Sequence, residues 1–273
     1  MIRTDKEFLE KYTTGWRLWQ GIPGIEVTKK GRIFASFYSG GTGEGRGNAA
    51  LVIMSDDGGE TFSEPIVAAY YEEHRCFDPC IWIDPLDRLW FVWSIMPDDA
   101  VYASVCENPD ADELVWSEAR IIGYEIMMNK PTVLSTGEWL FPMAVWKRHA
   151  RKGYRDPYNK DAVSGAWAYK TIDNGETFVK IGAAQVTESA YDEHMFVERE
   201  DGSLACFVRT TYGIGVCYSY DGGKNWTDGV NSRYGKSRTR FHISRLKSGR
   251  LLMVYHADTD RRDNLAAFLS EDD

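Results

Sequence analysis

An eight-residue pattern recurs in this chain, and few folds accommodate it. Ser55-Asp56-Asp57-Gly58-Gly59-Glu60-Thr61-Phe62, Thr171-Ile172-Asp173-Asn174-Gly175-Glu176-Thr177-Phe178 and Ser219-Tyr220-Asp221-Gly222-Gly223-Lys224-Asn225-Trp226 share the form S/T-x-D-x-G-x-T/N-F/W, and Ser270-Glu271-Asp272 begins another copy. The residue types are those of a tight turn. The carboxylate accepts from nearby backbone N–H groups, glycine takes a positive φ, and the hydroxyl closes the turn. The aromatic residue can then tuck under the next strand. Each residue of the pattern therefore reads as part of the fold and not as a ligand contact.

A second turn alternates with the first. Lys30-Gly31-Arg32-Ile33, Asp87-Arg88-Leu89, Thr136-Gly137-Glu138-Trp139, Asp201-Gly202-Ser203-Leu204 and Ser248-Gly249-Arg250-Leu251 each lie between two apolar strand-like runs. A hidden copy of the first pattern starts at Ser104 and resumes at Trp116-Ser117 after an insertion. A unit of roughly 40–50 residues holding four strands is a propeller blade. Five units start within the chain, and the fifth stops before its last strand. The expected fold is all-β; the recurring pattern resembles the repeat of the sialidase superfamily, and that resemblance implies a six-bladed β-propeller with four-stranded antiparallel blades, its ring here truncated at the C-terminus. Residues 1–19 read as an N-terminal extension and residues 20–273 as about five of six blades. In the extension, Thr4 to Tyr12 reads as a short helix, with Thr4 and Glu7 forming a capping box.

Composition excludes several functions. The 273 residues are 43% hydrophobic and include 10 Trp, enough for a large core. A formal charge of −9 speaks against a nucleic-acid partner. No apolar run is long enough to span a membrane. Met1 to Glu7 lacks the apolar core of a secretory signal. The chain is thus expected in the cytoplasm, or secreted or periplasmic if a signal was removed. Cys106, Cys206 and Cys217 lie in apolar strands and read as reduced core thiols. Cys76 and Cys80 have no matching second pair, so no zinc site, other metal or cofactor is expected.

In an up-and-down blade, the start of strand one, the end of strand two and the start of strand three share one end of the sheet. That end receives Tyr38, Glu44, Arg75, Asp78, Trp93, Asn129, Lys130, Trp146, Asp192, Glu193, His194, Arg209, Arg240, His256, Arg261 and Arg262. Glu193 and Arg209 abut apolar strands, where a lone charge is costly unless paired. His194 reads as a packed or hydrogen-bonded histidine. Trp93 and Trp146 read either as core or as platforms for a sugar ring. The insertion from Lys147 to Arg155 carries five Lys/Arg side chains. It reads either as a solvated loop or as a rim that steers anionic glycans.

The recurring pattern resembles the Asp-box, or bacterial neuraminidase repeat, of the sialidase superfamily, over about Gln20 to Asp273. The Asp-boxes are specific for the fold and much less so for the reaction. The superfamily's Arg-Ile-Pro motif corresponds to Gly21-Ile22-Pro23, so one arginine of its triad is missing. Arg75 or Arg240 are candidate replacements. Its catalytic glutamate corresponds to Glu193, although His194 stands where that motif has proline. The second and third triad arginines correspond to Arg209 and Arg262. By offset, Glu44 is nearest to the general acid. The nucleophilic tyrosine would lie beyond Asp273. The resemblance implies a glycosidase that removes a terminal acidic sugar, held by Arg209, Arg262, Arg240 and Arg75, with Asp78, Asn129, Trp146 and His194 lining the site. The alternatives are a uronate-directed lyase on the same fold or a glycan-binding propeller without catalysis. The implied partner is a glycan bearing an acidic sugar.

Overall fold

The computed structural model describes residues 1–96, 100–124, 126–146, 163–257 and 261–271. The insertion from Lys147 to Arg155 therefore lies outside the described residues. The chain divides into two compact units, one from Met1 to Met128 and one beginning at Asn129.

The first unit holds two antiparallel sheets. One consists of β1 (Ile2–Arg3), β2 (Gln20–Val27), β3 (Ile33–Ser39), β4 (Ala49–Ser55) and β5 (Val67–Ala69), in spatial order β1-β5-β4-β3-β2. The other is a meander of β6 (Arg75–Ile83), β7 (Leu89–Met96), β8 (Ala100–Cys106) and β9 (Arg120–Gly123). The second unit holds three sheets, also in chain order. They are β10 (Thr132–Val133), β11 (Trp139–Val145), β12 (Gly165–Thr171) and β13 (Val179–Ala184); then β14 (Ser189–Glu198), β15 (Leu204–Thr210), β16 (Gly213–Ser219) and β17 (Val230–Asn231); then β18 (His242–Arg245), β19 (Leu251–His256) and β20 (Leu265–Leu269).

The fold is an all-β propeller type with antiparallel blades, but the described residues form five blade sheets, where a six-bladed ring with about five blades in this chain was expected. The correction follows the sequence: five second-type turns build five sheets. The last has three strands, and β20 at its edge exposes Leu265, Phe268 and Leu269. The extension is not separate from the first blade, because β1 pairs with β5. Its helix is shorter than expected, α1 covering Lys6–Leu9 before a 3-10 turn at Glu10–Tyr12. Asp5 caps it in place of Thr4, accepting from Phe8 N at 3.1 Å. Phe8, Leu9 and Tyr12 pack on Phe37, Leu51 and Ala68 of the first sheet.

Both turns form as their residues dictate. In the first Asp-box, Ser55 Oγ donates to Asp57 at 2.7 Å and accepts from Gly59 N at 2.9 Å. Asp57 accepts from Thr61 N and from Thr61 Oγ1, the latter at 2.6 Å. The boxes of Asp173 and Asp221 repeat these bonds. At the hidden copy, Ser104 Oγ donates to Ser117 O at 2.7 Å, and Cys106 stands where the box has its aspartate. In the second turn, a reciprocal backbone pair joins the same offsets five times, as in Thr28 N to Arg32 O and Gly31 N to Thr28 O. Its third residue on is left-handed every time: Gly31, Asp87, Gly137, Gly202 and Gly249. All five Cys are buried and none forms a disulfide. No helix among the described residues is long and apolar enough to cross a membrane.

Candidate functional site

Three of the first strands carry the same irregularity, and it decides where the charged side chains go. Pairing skips between Gly21 and Gly24, between Phe77 and Cys80, and between Asp192 and Met195. At each skip two residues face one: Ile22 and Pro23, Asp78 and Pro79, Glu193 and His194. The first of each pair is left-handed, with φ of 50° at Ile22, 48° at Asp78 and 44° at Glu193; Asp192 before it is at 60°. Such conformations cost about 1–3 kcal/mol each in a non-glycine residue and persist where surrounding bonds hold them.

In the second unit the bulge delivers a buried carboxylate to a buried guanidinium. Glu193 Oε1 accepts from Arg209 Nη1 at 2.7 Å, and the two side chains are 7% and 13% exposed. Glu193 Oε2 and Arg209 Nε are both buried with no hydrogen-bond partner among the described residues. Arg209 also lies over the Tyr191 ring, 5.2 Å from its centroid, and Tyr191 meets Trp146 edge-on at 5.2 Å. Trp146 is itself buried, as a support under Tyr191. Asn129 donates to the carbonyls of Glu193 and His194 at 2.7 and 3.1 Å, and accepts from Arg240 Nε at 2.8 Å. One cluster thus gathers Glu193, Arg209, Asn129, Arg240 and Trp146. Arg262 stays apart from it: it is exposed before β20, and no hydrogen bond or ion pair engages it among the described residues.

His194 is buried, and Nε2 lies 2.9 Å from Trp167 O. A carbonyl only accepts, so Nε2 carries the proton and Nδ1 is left as a bare, buried acceptor. Burial pushes its pKa down to about 4, against the smaller opposite pull of that hydrogen bond. His242 is also pushed down to about 4, first by burial and then by Lys130 and Arg240. Those last two causes mark a positive field in this unit of an acidic protein.

In the first unit the candidates form a cluster of their own. Tyr38 OH donates to Glu44 at 2.5 Å, and Arg75 Nη2 lies 2.9 Å from Glu44 and 3.0 Å from Tyr38 OH. Burial first, then the charge of Asp78, raises the Tyr38 pKa, so the phenol stays protonated as a donor. Asp78 is 4% exposed on its bulge. Trp93 is a core residue, stacked on Tyr102. Gly21, standing where the superfamily has arginine, is covered by Trp19. A Cβ there would lie 2.7 Å from the indole and 3.1 Å from Tyr38.

Sequence reasoning missed Tyr191, His242 and the part played by Trp19. The offset from the second turn signals the residues of the clusters, though not these three. Asp78, Glu193 and Arg240 all stand six residues before the residue that opens it, and Asn129 and His194 stand five before.

The family of BNR repeat-like domains matches residues 31–273. The chain belongs to that family. As a BNR repeat-like domain it is similar to the intramolecular trans-sialidase of Ruminococcus gnavus, solved with oseltamivir carboxylate. Identity is 13% over 94% of this chain and 83% of that one, with a TM-score of 0.71. A mutant NanB sialidase of Streptococcus pneumoniae is 14% identical over 94% of this chain, which spans 60% of NanB, with a TM-score of 0.68. An endo-arabinase of Bacteroides thetaiotaomicron is 14% identical over 94% and 95% of the two chains, with a TM-score of 0.56. No curated protein sequence matches the chain. At these identities the likeness is one of fold. This BNR repeat-like domain shares the propeller fold of those structures.

Proposed function

We propose that the protein is a sialidase-like glycosidase that removes a terminal acidic sugar from a glycan, and that the second unit's cluster holds that sugar. The observation that carries this is the Glu193–Arg209 pair. Each partner keeps one buried polar atom without a bond among the described residues, so each can still bond a sugar without releasing the other. Arg209 Nε is suited to a sugar carboxylate by a charge-assisted hydrogen bond. Glu193 Oε2 is suited to accept a proton or a hydroxyl hydrogen bond. The field of Lys130 and Arg240 at His242 favours an anion over a neutral sugar.

A binding role without catalysis is the second reading, favoured by Trp19 filling the space at Gly21. The test is incubation of the protein with glycans ending in sialic or uronic acid, followed by product analysis. A released acidic monosaccharide supports the hydrolase. An unsaturated, ultraviolet-absorbing product assigns a uronate lyase instead. Saturable binding without any product assigns the binding role, and no binding by any acidic glycan sinks the proposal.

A further inference from the structure

We infer that Asn129 is a positioning residue: its amide holds the Glu193–His194 bulge in the shape that brings Glu193 to Arg209, a task that proline performs in two other sheets. The inference rests on reading the second unit's cluster as the site for an acidic sugar. Three bulges share one geometry, and in two of them the second residue is proline, Pro23 or Pro79. Proline fixes its own φ and has no N–H to satisfy, so it stiffens an irregular strand from within. In the third bulge His194 takes that place. The stiffness must therefore come from outside the strand.

Asn129 is placed to supply it. Where the ladder skips, backbone polar groups need partners off the ladder. One Nδ2 group donates to both carbonyls of the bulge, at 2.7 Å to Glu193 and 3.1 Å to His194. Its partners fix the amide's orientation, because carbonyls accept and the Arg240 guanidinium at Oδ1 only donates. Asn129 is 2% exposed and each end of its amide is engaged by protein, so it is not itself a sugar contact. His194 adds a second tether through its ring at Trp167 O.

The test separates the two ends of the amide. Asn129→Ala removes both, whereas Asn129→Asp keeps an acceptor for Arg240 and loses the donors to the bulge. Hydrogen exchange is read at Asp192–Met195 and at the Asp-box Ser219–Trp226. Affinity is read by calorimetric titration with glucuronic acid and N-acetylneuraminic acid. Exchange at the bulge is expected to quicken about tenfold or more in both variants, with the box unchanged and affinity for the sugar down by about tenfold. Parental protection of the bulge in either variant overturns the inference. So does parental affinity in Asn129→Asp, which would leave Arg240 as the only route. Uniform loss of protection, box included, reduces Asn129 to a general stabiliser and also overturns it. If Asn129→Ala does not fold, Asn129→Ser is read on the same two quantities. If the parent binds neither sugar, the functional reading fails, and exchange alone decides the clamp.

Discussion

Gly21 and Arg209 illustrate how little room single residues have here. Restoring an arginine at Gly21 would drive its Cβ into Trp19 at 2.7 Å. Overpacking of this kind costs about 1–3 kcal/mol. Gly21→Arg is therefore expected to lower the unfolding free energy without improving affinity for acidic sugars; a tighter-binding, equally stable variant would refute that. Arg209→Ala leaves Glu193 buried and unpaired, for a loss of about 3–5 kcal/mol. Chemical denaturation should show most of that loss recovered when Glu193→Gln is added. That Glu193 needs a partner was legible in the sequence, since a lone charge abutting an apolar strand is costly; that Arg209 is the partner was not. The covering of Gly21 was not, because nothing in a one-dimensional pattern says that an indole two residues back folds over the gap.

The elements were more legible than the residues. Turn chemistry is local, so the Asp-boxes could be placed from their residue types, and the bonds form as those types require. Local signals also carry the failures. Thr4 and Asp5 are both good caps, and Asp5, also bonded by Arg3, is the one used, with Phe8, Leu9 and Tyr12 packed on the first sheet. The bulges were illegible because a skipped pair depends on the partner strand. The boxes predict acid sensitivity. The Thr177 hydroxyl and then its backbone N–H hold Asp173 down to about 2, and the Asn225 N–H and side chain do the same for Asp221. A carboxylate whose folded pKa is depressed stabilises above its unfolded value of about 4, and the contribution is lost as pH falls toward 2. Thermal midpoints of Asp173→Asn and Asp221→Asn are expected to lie below the parent at pH 6 and to approach it near pH 2. A constant gap between those pH values would refute the assignment. Asp57→Ala is expected to lower the melting temperature while leaving sugar affinity unchanged, read by calorimetry.

At the scale of the whole molecule two features have consequences in solution. His194 and His242 are both held below the ordinary histidine value, to about 4. Unfolding lets each take up a proton below about pH 6.5, so stability is full above that value and declines between about 6.5 and 4. The loss is on the order of a few kcal/mol for the fully buried His194. His194→Gln is expected to flatten the decline in denaturant midpoint from pH 7 to pH 4.5, and an unaltered slope would place the titration elsewhere. The uncharged edge of β20 is the second feature, since an apolar edge strand is a template for association. Ala267→Lys is expected to reduce light scattering at high protein concentration without changing the melting temperature.

The order of strands also sets a timetable for synthesis. From β2 to β20, each strand pairs with the strand before or after it in the chain, so each sheet can assemble as its own segment leaves the ribosome. β1 is the exception. Ile2 pairs with Ala69 and Arg3 with Ala68, so β1 must wait for β5 to emerge. β1 is thus the last strand of its sheet to find a place, and until then the outer edge of β5 stays open.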